Sequence, residues 1–323
     1  MTFPDSFFQG EYRSDFYVCE MMKHAWAAKL ELLEIITNIC KKHHIQYFAC
    51  GGTLLGAVRH QGFIPWDDDI DIGLKRPDYN RLVQILPQEL PYGIFLAGIY
   101  GTDHSSGFLK CDQSVVVTNA SQWTLADFYK KFHGFPYRQI GIDIYPYDYI
   151  PRDAELSNIQ KYLIRKIIVL VRDWKALQEK HLLEERISEI EQLCNVSLTW
   201  NDTLQWQLLH LSDTICSLYT EADGDEIANY PTWSSSPREH MMKKEWYDTI
   251  VEIPFENTTI SVPQNYHEVL STCFEDYKTP TKGTSLHNYP FYASQEKSLK
   301  SYLKAHGFTG SINDFCKTYL DPK

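Results

Sequence analysis

Apolar and polar residues follow two different periods along the chain. From Cys19 to Lys42 the apolar side chains recur every three or four residues, which predicts an amphipathic helix. Pro77 opens a second helical stretch that runs to Pro87. Runs rich in apolar and β-branched residues predict strands between and after these helices; they cover residues 46–50, 70–74, 94–97, 114–118 and 142–144. The sequence therefore predicts an α/β (α+β) fold.

The second half of the chain begins with a helical region and closes with a hairpin. On a helical wheel of residues 161–175, four basic residues gather opposite the apolar ones. A hairpin is predicted from Glu252 to Pro263, followed by a helix from Asn265 to Cys273. The predicted organisation is a core at residues 1–150, a helical insertion at 151–240, and a hairpin and helix at 241–323 that complete the core. The four basic residues are Lys161, Arg165, Arg172 and Lys175.

Four aspartates occur within residues 67–71. Carboxylates this close repel one another unless they are solvated or share a cation, and oxygen ligands of this kind suit Mg²⁺ or Mn²⁺. Because strand side chains alternate between faces, Asp69 and Asp71 would point to one side of a strand while the neighbouring isoleucines anchor the other. We therefore expect these two to bind a metal ion. Asp67 and Asp68 precede the strand and are expected to shape the turn.

A pair of glycines, Gly51 and Gly52, directly follows the first predicted strand. Glycine permits a sharp turn and a close approach to a ligand, and backbone N–H groups at such a turn are good phosphate donors. Thr53 could cap a helical turn here, and Arg59 and His60 lie one to two helical turns further on, where they could add charge. The alternative is an ordinary turn at the end of a strand.

The segment from Gly51 to Ile72 reads Gly-Gly-Thr-Leu-Leu-Gly-Ala-Val-Arg-His-Gln-Gly-Phe-Ile-Pro-Trp-Asp-Asp-Asp-Ile-Asp-Ile. It resembles the defining segment of the LicD/fukutin family of phosphotransferases, within the nucleotidyltransferase superfamily. The resemblance extends upstream through residues 24–44 and recurs at 141–148 and 251–277, whereas residues 151–250 resemble the family far less. It implies a nucleotidyltransferase-like fold, in which helices flank a mixed β-sheet and a helical insertion is added.

The resemblance also implies a third carboxylate on a later strand, and the matching position is Asp143. It lies between two isoleucines, so alternation places it alone on its face of the strand. The alternative is a surface aspartate on a half-exposed strand. In the implied catalytic set, Asp69 and Asp71 hold Mg²⁺ against the donor pyrophosphate, and Asp143 shares the metal or takes the acceptor proton. Asp148, at the end of the same segment, is expected to cap or solvate a loop.

For function, the resemblance implies transfer of a phosphoalcohol to a sugar hydroxyl. The donor would be a CDP-alcohol, with CDP-choline as the first choice. The acceptor would be a glycan or lipid-linked glycan precursor of the cell surface, of the teichoic acid or lipopolysaccharide type. The alternatives are a CDP-ribitol or CDP-glycerol phosphotransferase, a nucleotidyltransferase that uses a nucleoside triphosphate, and a non-catalytic choline- or glycan-binding module. A binding module has no need of three metal carboxylates, which favours an enzyme.

Two aromatic residues and a lysine are further candidates for substrate binding. Trp66 and Tyr147 lie beside the expected carboxylates in the sequence, and ring faces are a usual way to hold a quaternary ammonium group such as choline. Core or strand-face packing is an equally good explanation for each. Lys110 could reach a phosphate across the site, although an exposed lysine at a strand edge is the alternative.

The composition bounds the class of protein. The chain has 323 residues, a hydrophobic content of 43% and a formal net charge of -11, so it can bury a substantial core and is not expected to bind nucleic acid. No targeting or membrane-spanning segment is evident, and we expect a cytoplasmic protein that works at the inner face of the membrane. The basic face of residues 161–175 is either a solvated helix face or a dock for an anionic, lipid-linked acceptor or the membrane that carries it.

Overall fold

The computed structural model describes residues 1–101, 115–119, 133, 141–230, 241–274, 276–281, 293–311 and 314–315. The helices of these residues are α1 (Glu20–Lys42), α2 (Gly51–His60), α3 (Arg76–Glu89), α4 (Ala154–Arg172), α5 (Trp174–Glu179), α6 (Leu183–Cys194), α7 (Leu204–Cys216), α8 (Tyr266–Cys273) and α9 (Ala293–Ala305). The strands are β1 (Glu11–Arg13), β2 (Phe16–Val18), β3 (Phe48–Ala49), β4 (Asp71–Lys75), β5 (Ile94–Gly98), β6 (Val115–Asn119), β7 (Gly141–Ile150), β8 (Glu226–Ala228), β9 (Met242–Lys243), β10 (Ile250–Phe255) and β11 (Thr258–Pro263).

A mixed β-sheet organises the core. Five of its strands lie in the order β3-β4-β7-β6-β5, while β8 pairs with the far end of β7 and β9 pairs with β8. β4 runs parallel to β7, and the other neighbours are antiparallel. α1 and α3 pack against this sheet. The expected fold, a mixed sheet flanked by helices with further helices added, is confirmed.

The two strands at the centre of the sheet alternate as the sequence predicted. In β7, Ile142 and Ile144 are fully buried on one face, and Asp143 between them is half-buried on the other. In β4, Ile72 is fully buried and Asp71 is half-buried. Because side chains alternate along a strand, the isoleucines fix each strand in the core and leave the aspartates on the opposite face.

The long helix α1 confirms the helix expected from Cys19 to Lys42 and begins one residue later. Its apolar face is buried in the core of the protein. Lys29 is buried with it, and its Nζ donates a 2.8 Å hydrogen bond to the carbonyl of Gly141, at the start of β7. α1 therefore fixes the end of the strand that carries Asp143.

The helices between residues 154 and 216 enclose a second hydrophobic core. Ile164 and Ile167 of α4 are completely buried there, together with Ile187 of α6 and Leu209 of α7. This core joins the sheet at Ile150, the last residue of β7. In the described parts of the chain, no helix has the length and apolar character needed to cross a bilayer.

The basic face expected across residues 161–175 is divided in the structure. α4 ends at Arg172, and Asp173 both terminates α4 and precedes the first residue of α5. Lys175 therefore belongs to the next helix, and the prediction of one continuous helix through it was wrong. Lys161 is half-buried, whereas Arg165 is exposed. The Arg172 guanidinium pairs with Asp173 at 2.8 Å.

The C-terminal hairpin and helix are also as expected. β10 and β11 pair antiparallel around a short turn that contains Glu256. Glu256 has a φ of 52°, and its N–H donates a 2.8 Å hydrogen bond to the carbonyl of Gln61. The turn of the hairpin therefore contacts the loop between α2 and β4, which carries the first of the aspartates.

Candidate functional site

Two aspartates from neighbouring strands lie side by side. Asp71 is the register partner of Asp143 in the parallel pair of β4 and β7, and adjacent strands are about 4.8 Å apart. The N–H of Asp143 donates to the Ile70 carbonyl at 3.1 Å. The N–H of Asp71 donates to Thr53 Oγ1 at 2.8 Å. These bonds hold both backbones, so the two carboxylates share one face of the sheet at one position along it.

Three more aspartates stand in the loop before β4. Asp67, Asp68 and Asp69 can each offer one oxygen, and these oxygens lie within 4.8 Å of one another. The loop turns back on itself because the Asp67 N–H donates to the Ile64 carbonyl at 2.9 Å. Asp67 Oδ1 also accepts the N–H of Asp68 at 3.0 Å. Asp67 thus shapes the turn, as expected, and in addition brings its own carboxyl group to the cluster.

The N-terminus of α2 faces these aspartates. Gly51 starts the helix with a φ of 53°, and a Cβ there would lie 3.7 Å from Asp71 Oδ2. A Cβ at Gly52 would lie only 2.8 Å from Asp67 Oδ2, so a larger residue there would displace the Asp67 carboxyl group. The first N–H groups of a helix have no acceptor within it. Donors and carboxylates therefore meet around one small space.

Thr53 has a different role from the one expected. Cys50 occupies the position before the helix, so Thr53 lies inside the first turn and does not cap it. Its hydroxyl instead accepts the N–H of Asp71. The threonine links the glycine turn to the strand that carries an aspartate.

Repulsion among the carboxyl groups favours a bound cation. Burial, followed by the charges of Asp69 and Asp143, raises the pKa of Asp71 well above its ordinary value. The Lys29 ammonium offsets this only in part. Burial and the neighbouring Asp69 raise the pKa of Asp67 to about 8. A set of carboxylate oxygens with these pKa values fits a hard divalent cation such as Mg²⁺ or Mn²⁺, which would relieve the repulsion.

Residues distant in the sequence hold the aspartate loop in place. Trp26 of α1 is completely buried, and its Nε1 donates to the Asp67 carbonyl at 3.0 Å while its ring stacks on Phe63 at 4.6 Å between centroids. The N–H of Phe63 donates to Glu256 Oε1 at 3.0 Å. Arg13 donates to both oxygens of Glu256, at 2.6 and 2.9 Å. The sequence did not indicate this support.

Two rings pack around that of Trp66, the residue that precedes the aspartates in the sequence, and the three form what we call the aromatic wall. The ring of Trp66, the residue before Asp67, lies 6.0 Å from Phe16 and 6.5 Å from His60, both edge-on. Burial and the neighbouring Arg59 lower the pKa of His60 to about 4. His60 is therefore neutral at physiological pH, and the wall carries no charge of its own. Sequence reasoning missed Phe16, which comes from the N-terminal hairpin.

Arg59 brings a positive charge to the C-terminal end of α2. Its Nε donates to His60 Nε2 at 2.9 Å, and a second guanidinium nitrogen donates to the Tyr277 carbonyl at 3.1 Å. Burial lowers the pKa of Arg59, and none of the carboxylates in the described residues forms an ion pair with it. Its positive charge is therefore available to bind an anionic group of a substrate. Arg59 lies about 12 Å along the helix from Gly51.

Tyr147, another candidate for substrate binding, does not lie among the aspartates. Tyr147 follows Asp143 by four residues, about 13 Å along β7. Its ring packs against Phe48 and Tyr247, with centroids 5.1 and 5.8 Å apart. Packing on the face of the strand, the alternative given for Tyr147, describes this position. Lys110 lies outside the described residues.

Comparison with known proteins gives four related findings. Residues 44–166 match the model of the LicD/FKTN/FKRP nucleotidyltransferase domain. The lipopolysaccharide cholinephosphotransferase LicD of Haemophilus influenzae is 26% identical over 253 residues, which cover 77% of this chain and 88% of that protein. An uncharacterised protein of Rickettsia typhi is 34% identical over 139 residues, or 43% of this chain and 40% of that one. The human ribitol 5-phosphate transferase FKRP is 34% identical over 55 residues, 17% of this chain and 11% of its own length.

Proposed function

Because residues 44–166 match the LicD/FKTN/FKRP nucleotidyltransferase domain and most of the chain is similar to a cholinephosphotransferase, we propose that the protein is a phosphotransferase of this family and transfers phosphocholine from CDP-choline to a sugar hydroxyl of a cell-surface glycan precursor. The observation that carries the proposal is the joint position of the aspartate cluster and the N-terminus of α2. The similarity to a cholinephosphotransferase over most of both chains supports the same donor. The shorter similarity to a ribitol 5-phosphate transferase supports the wider class of phosphoalcohol transfer.

Asp69, Asp71 and Asp143 are the residues that we propose to hold Mg²⁺ or Mn²⁺, and Asp67 is a fourth candidate. A cation bound there would supply positive charge to the pyrophosphate of the donor. Gly51 and Gly52 lie beside the same carboxylates, and their N–H groups would donate hydrogen bonds to phosphate oxygens. These groups bind and orient the donor before any bond changes.

In the proposed reaction, the acceptor hydroxyl attacks the phosphorus that bears choline. A new oxygen–phosphorus bond forms in line with the bond to CMP, which breaks. Asp143 would take the proton that the hydroxyl loses; its position beside Asp71 in the register of the two strands supports this role. CMP leaves with the electron pair of the broken bond.

The aromatic wall is the proposed site for the trimethylammonium group. A quaternary ammonium gains about 0.5 to 2 kcal/mol from the face of a tryptophan. The charge of Arg59, bonded to His60, opposes a cation on that side of Trp66. The choline is therefore expected on the side of Phe16, and Arg59 is expected to face an anionic part of a substrate.

A thermal-shift experiment tests this function. A ligand at about 100 times its Kd stabilises the folded state by about 2.7 kcal/mol, which raises Tm by several degrees. We expect CDP-choline to do so when Mg²⁺ is present and to do little without it. CDP-ribitol, CDP-glycerol and CTP are the comparison ligands. Product analysis should then find CMP when the acceptor is supplied.

The variant Trp66→Leu sharpens the test, because leucine keeps an apolar side chain and removes the ring. It should bind CDP-choline about tenfold more weakly and leave the affinity for CDP-glycerol unchanged. A larger shift with CDP-ribitol or CDP-glycerol than with CDP-choline would assign a different phosphoalcohol. Release of pyrophosphate from CTP would mean a nucleotidyltransferase, and binding of choline alone without turnover would mean a binding module.

Glu256→Gln should lower turnover about tenfold, although Glu256 does not belong to the aspartate cluster. The substitution removes the negative charge that pairs with Arg13 and weakens the hydrogen bond that the Phe63 N–H donates to this side chain. The loop that carries Asp67 would therefore lose its position. Glu252→Gln is the matched control, because Glu252 lies on the same hairpin and pairs with the exposed Lys41. Turnover of CDP-choline by both variants is the measurement, and equal rates would show that Glu256 does not position the loop.

A further inference from the structure

A groove of about 450 Å³ crosses the surface of the helical insertion, between α4, α5 and α6. It is remote from the aspartate cluster, because α4 begins beyond the far end of β7, which is about 23 Å from Asp143 along the strand. The apolar residues that line it are Val169, Leu170 and Leu177, and the other lining residues are Tyr162, Arg165, Lys166, Asp173 and Arg186. We call it the insertion groove.

The charge around the insertion groove is positive. Lys166 pairs with Glu189 at 2.5 Å, and Arg186 pairs with Glu189 at 3.4 Å and with Glu185 at 3.9 Å. Asp173 is already paired with Arg172. Arg165 is exposed, and the described residues offer it no ion pair. In a chain of net charge -11, this is a local excess of positive charge beside an apolar surface.

Exposed apolar side chains lead along α4 to the groove. Leu156, Ile159 and Tyr162 are 44%, 49% and 53% exposed, and their spacing of three residues places them on one face of the helix. The Lys166 ammonium lies 5.4 Å from the centre of the Tyr162 ring. Apolar residues and cations along one helix are the pattern of a surface that lies in a membrane interface.

We propose that the insertion groove binds an anionic membrane lipid, with an acyl chain on Val169, Leu170 and Leu177 and the anionic head between Arg165 and Arg186. The side chain of Arg165 would supply the charge that no carboxylate of the described residues now meets. Leu156 and Ile159 would enter the outer layer of the same bilayer. The groove therefore holds the enzyme at an anionic membrane, whichever donor and acceptor it uses.

A second cavity beside α4 does not offer the same chemistry. It measures about 860 Å³ and is lined by Arg152, Lys161 and Asp225 among others. Arg152 there forms two hydrogen bonds with Asp225, at 2.6 and 2.7 Å. Its charges are mixed and paired, so it does not select an anion. Of these two cavities beside α4, the insertion groove is the one that combines an apolar floor with an excess of cations.

Vesicle sedimentation of the full chain tests the proposal. The probe is a phosphatidylcholine vesicle with and without phosphatidylglycerol. The wild-type protein should bind the anionic vesicles only, and Arg165→Gln/Arg186→Gln should bind them at least about tenfold more weakly, since each basic residue near an anionic surface contributes to binding. Lys175→Gln/Lys180→Gln is the matched control, because it removes two exposed cations of the same insertion that do not line the groove.

Competition shows whether a chain enters the groove. Dodecyl phosphate should displace the protein from anionic vesicles, whereas inorganic phosphate at the same concentration should not. The inference is overturned if the groove variant binds as tightly as the wild type, if the control variant loses as much affinity, or if phosphatidylcholine alone binds equally well. Effective competition by inorganic phosphate would also overturn it, because it would leave a phosphate site without a lipid.

Discussion

Asp71→Asn and Asp143→Asn are each expected to lower turnover by at least about 10², with the fold intact. Asparagine keeps the size of the side chain and removes a charge from the site where we propose that the cation binds. The measurement is CMP release from CDP-choline at saturating Mg²⁺. Asp202→Asn is the control, because Asp202 is an exposed aspartate in the loop between α6 and α7. This variant should turn over CDP-choline at the wild-type rate.

Asp71→Asn should leave the stability of the folded protein unchanged or increase it. A carboxyl group with a raised pKa in the folded state opposes folding at every pH above its unfolded pKa, and the penalty disappears as pH falls below that value. Burial and the neighbouring carboxylates raise the pKa of Asp71 in this way. Without divalent ions at neutral pH, Asp71→Asn should therefore melt at or above the wild-type temperature.

Mg²⁺ separates the two effects of this aspartate. The ion should raise the Tm of the wild-type protein, because it binds the folded state and relieves the repulsion among the carboxylates. The rise should be much smaller in Asp71→Asn. An Asp71→Asn protein that turns over like the wild type, or that keeps the whole Mg²⁺-dependent rise, would remove Asp71 from the metal site.

The sequence predicted the parts of the site that follow from local periodicity. Alternation in β4 and β7 requires only that isoleucines be buried, and it placed Asp71 and Asp143 on the face opposite to them. Asp69, which was expected to share a strand face with Asp71, lies instead in the loop before β4. It did not show that the strands are neighbours, which the family resemblance implied. The structure supplies the register that sets the two aspartates opposite each other. Their role as metal ligands stays a prediction.

The supports of the site could not be read from the sequence, because they join residues that are far apart along the chain. Arg13 and Glu256 are separated by 243 positions. Arg13 lies outside the segments that resemble the family, and the resemblance of residues 251–277 did not indicate a partner for Glu256; an isolated arginine or glutamate is most often exposed. Similarly, Asp148 was expected to cap or solvate a loop, but it is completely buried in an ion pair with Arg76. That expectation was wrong, since its partner could not be identified before the fold was known.

Arg76→Met is expected to destabilise the protein by about 3 to 5 kcal/mol, because it would leave two buried carboxylates without a counter-ion. The Arg76 guanidinium donates to both oxygens of Asp148, at 2.5 and 2.7 Å, and to Asp213 at 2.9 Å. Asp213 also accepts a hydrogen bond from the Tyr100 hydroxyl. All three charged side chains are nearly inaccessible to solvent. Burial alone would lower the pKa of Arg76, but these carboxylates raise it well above its ordinary value.

The network matters for the whole architecture because it joins three elements. Arg76 begins α3, Asp148 belongs to β7, and Asp213 belongs to α7 of the second core.

Urea unfolding should show the loss of stability in Arg76→Met. Arg81→Met, which breaks the exposed pair with Asp78 on the same helix, should cost less than about 1 kcal/mol. The loss of stability in Arg76→Lys should fall between those of the other two variants, since lysine keeps the charge but cannot donate two hydrogen bonds to one carboxylate from two nitrogens. If Arg76→Met lost no more stability than Arg81→Met, the buried ion-pair network would not be what joins the insertion to the sheet.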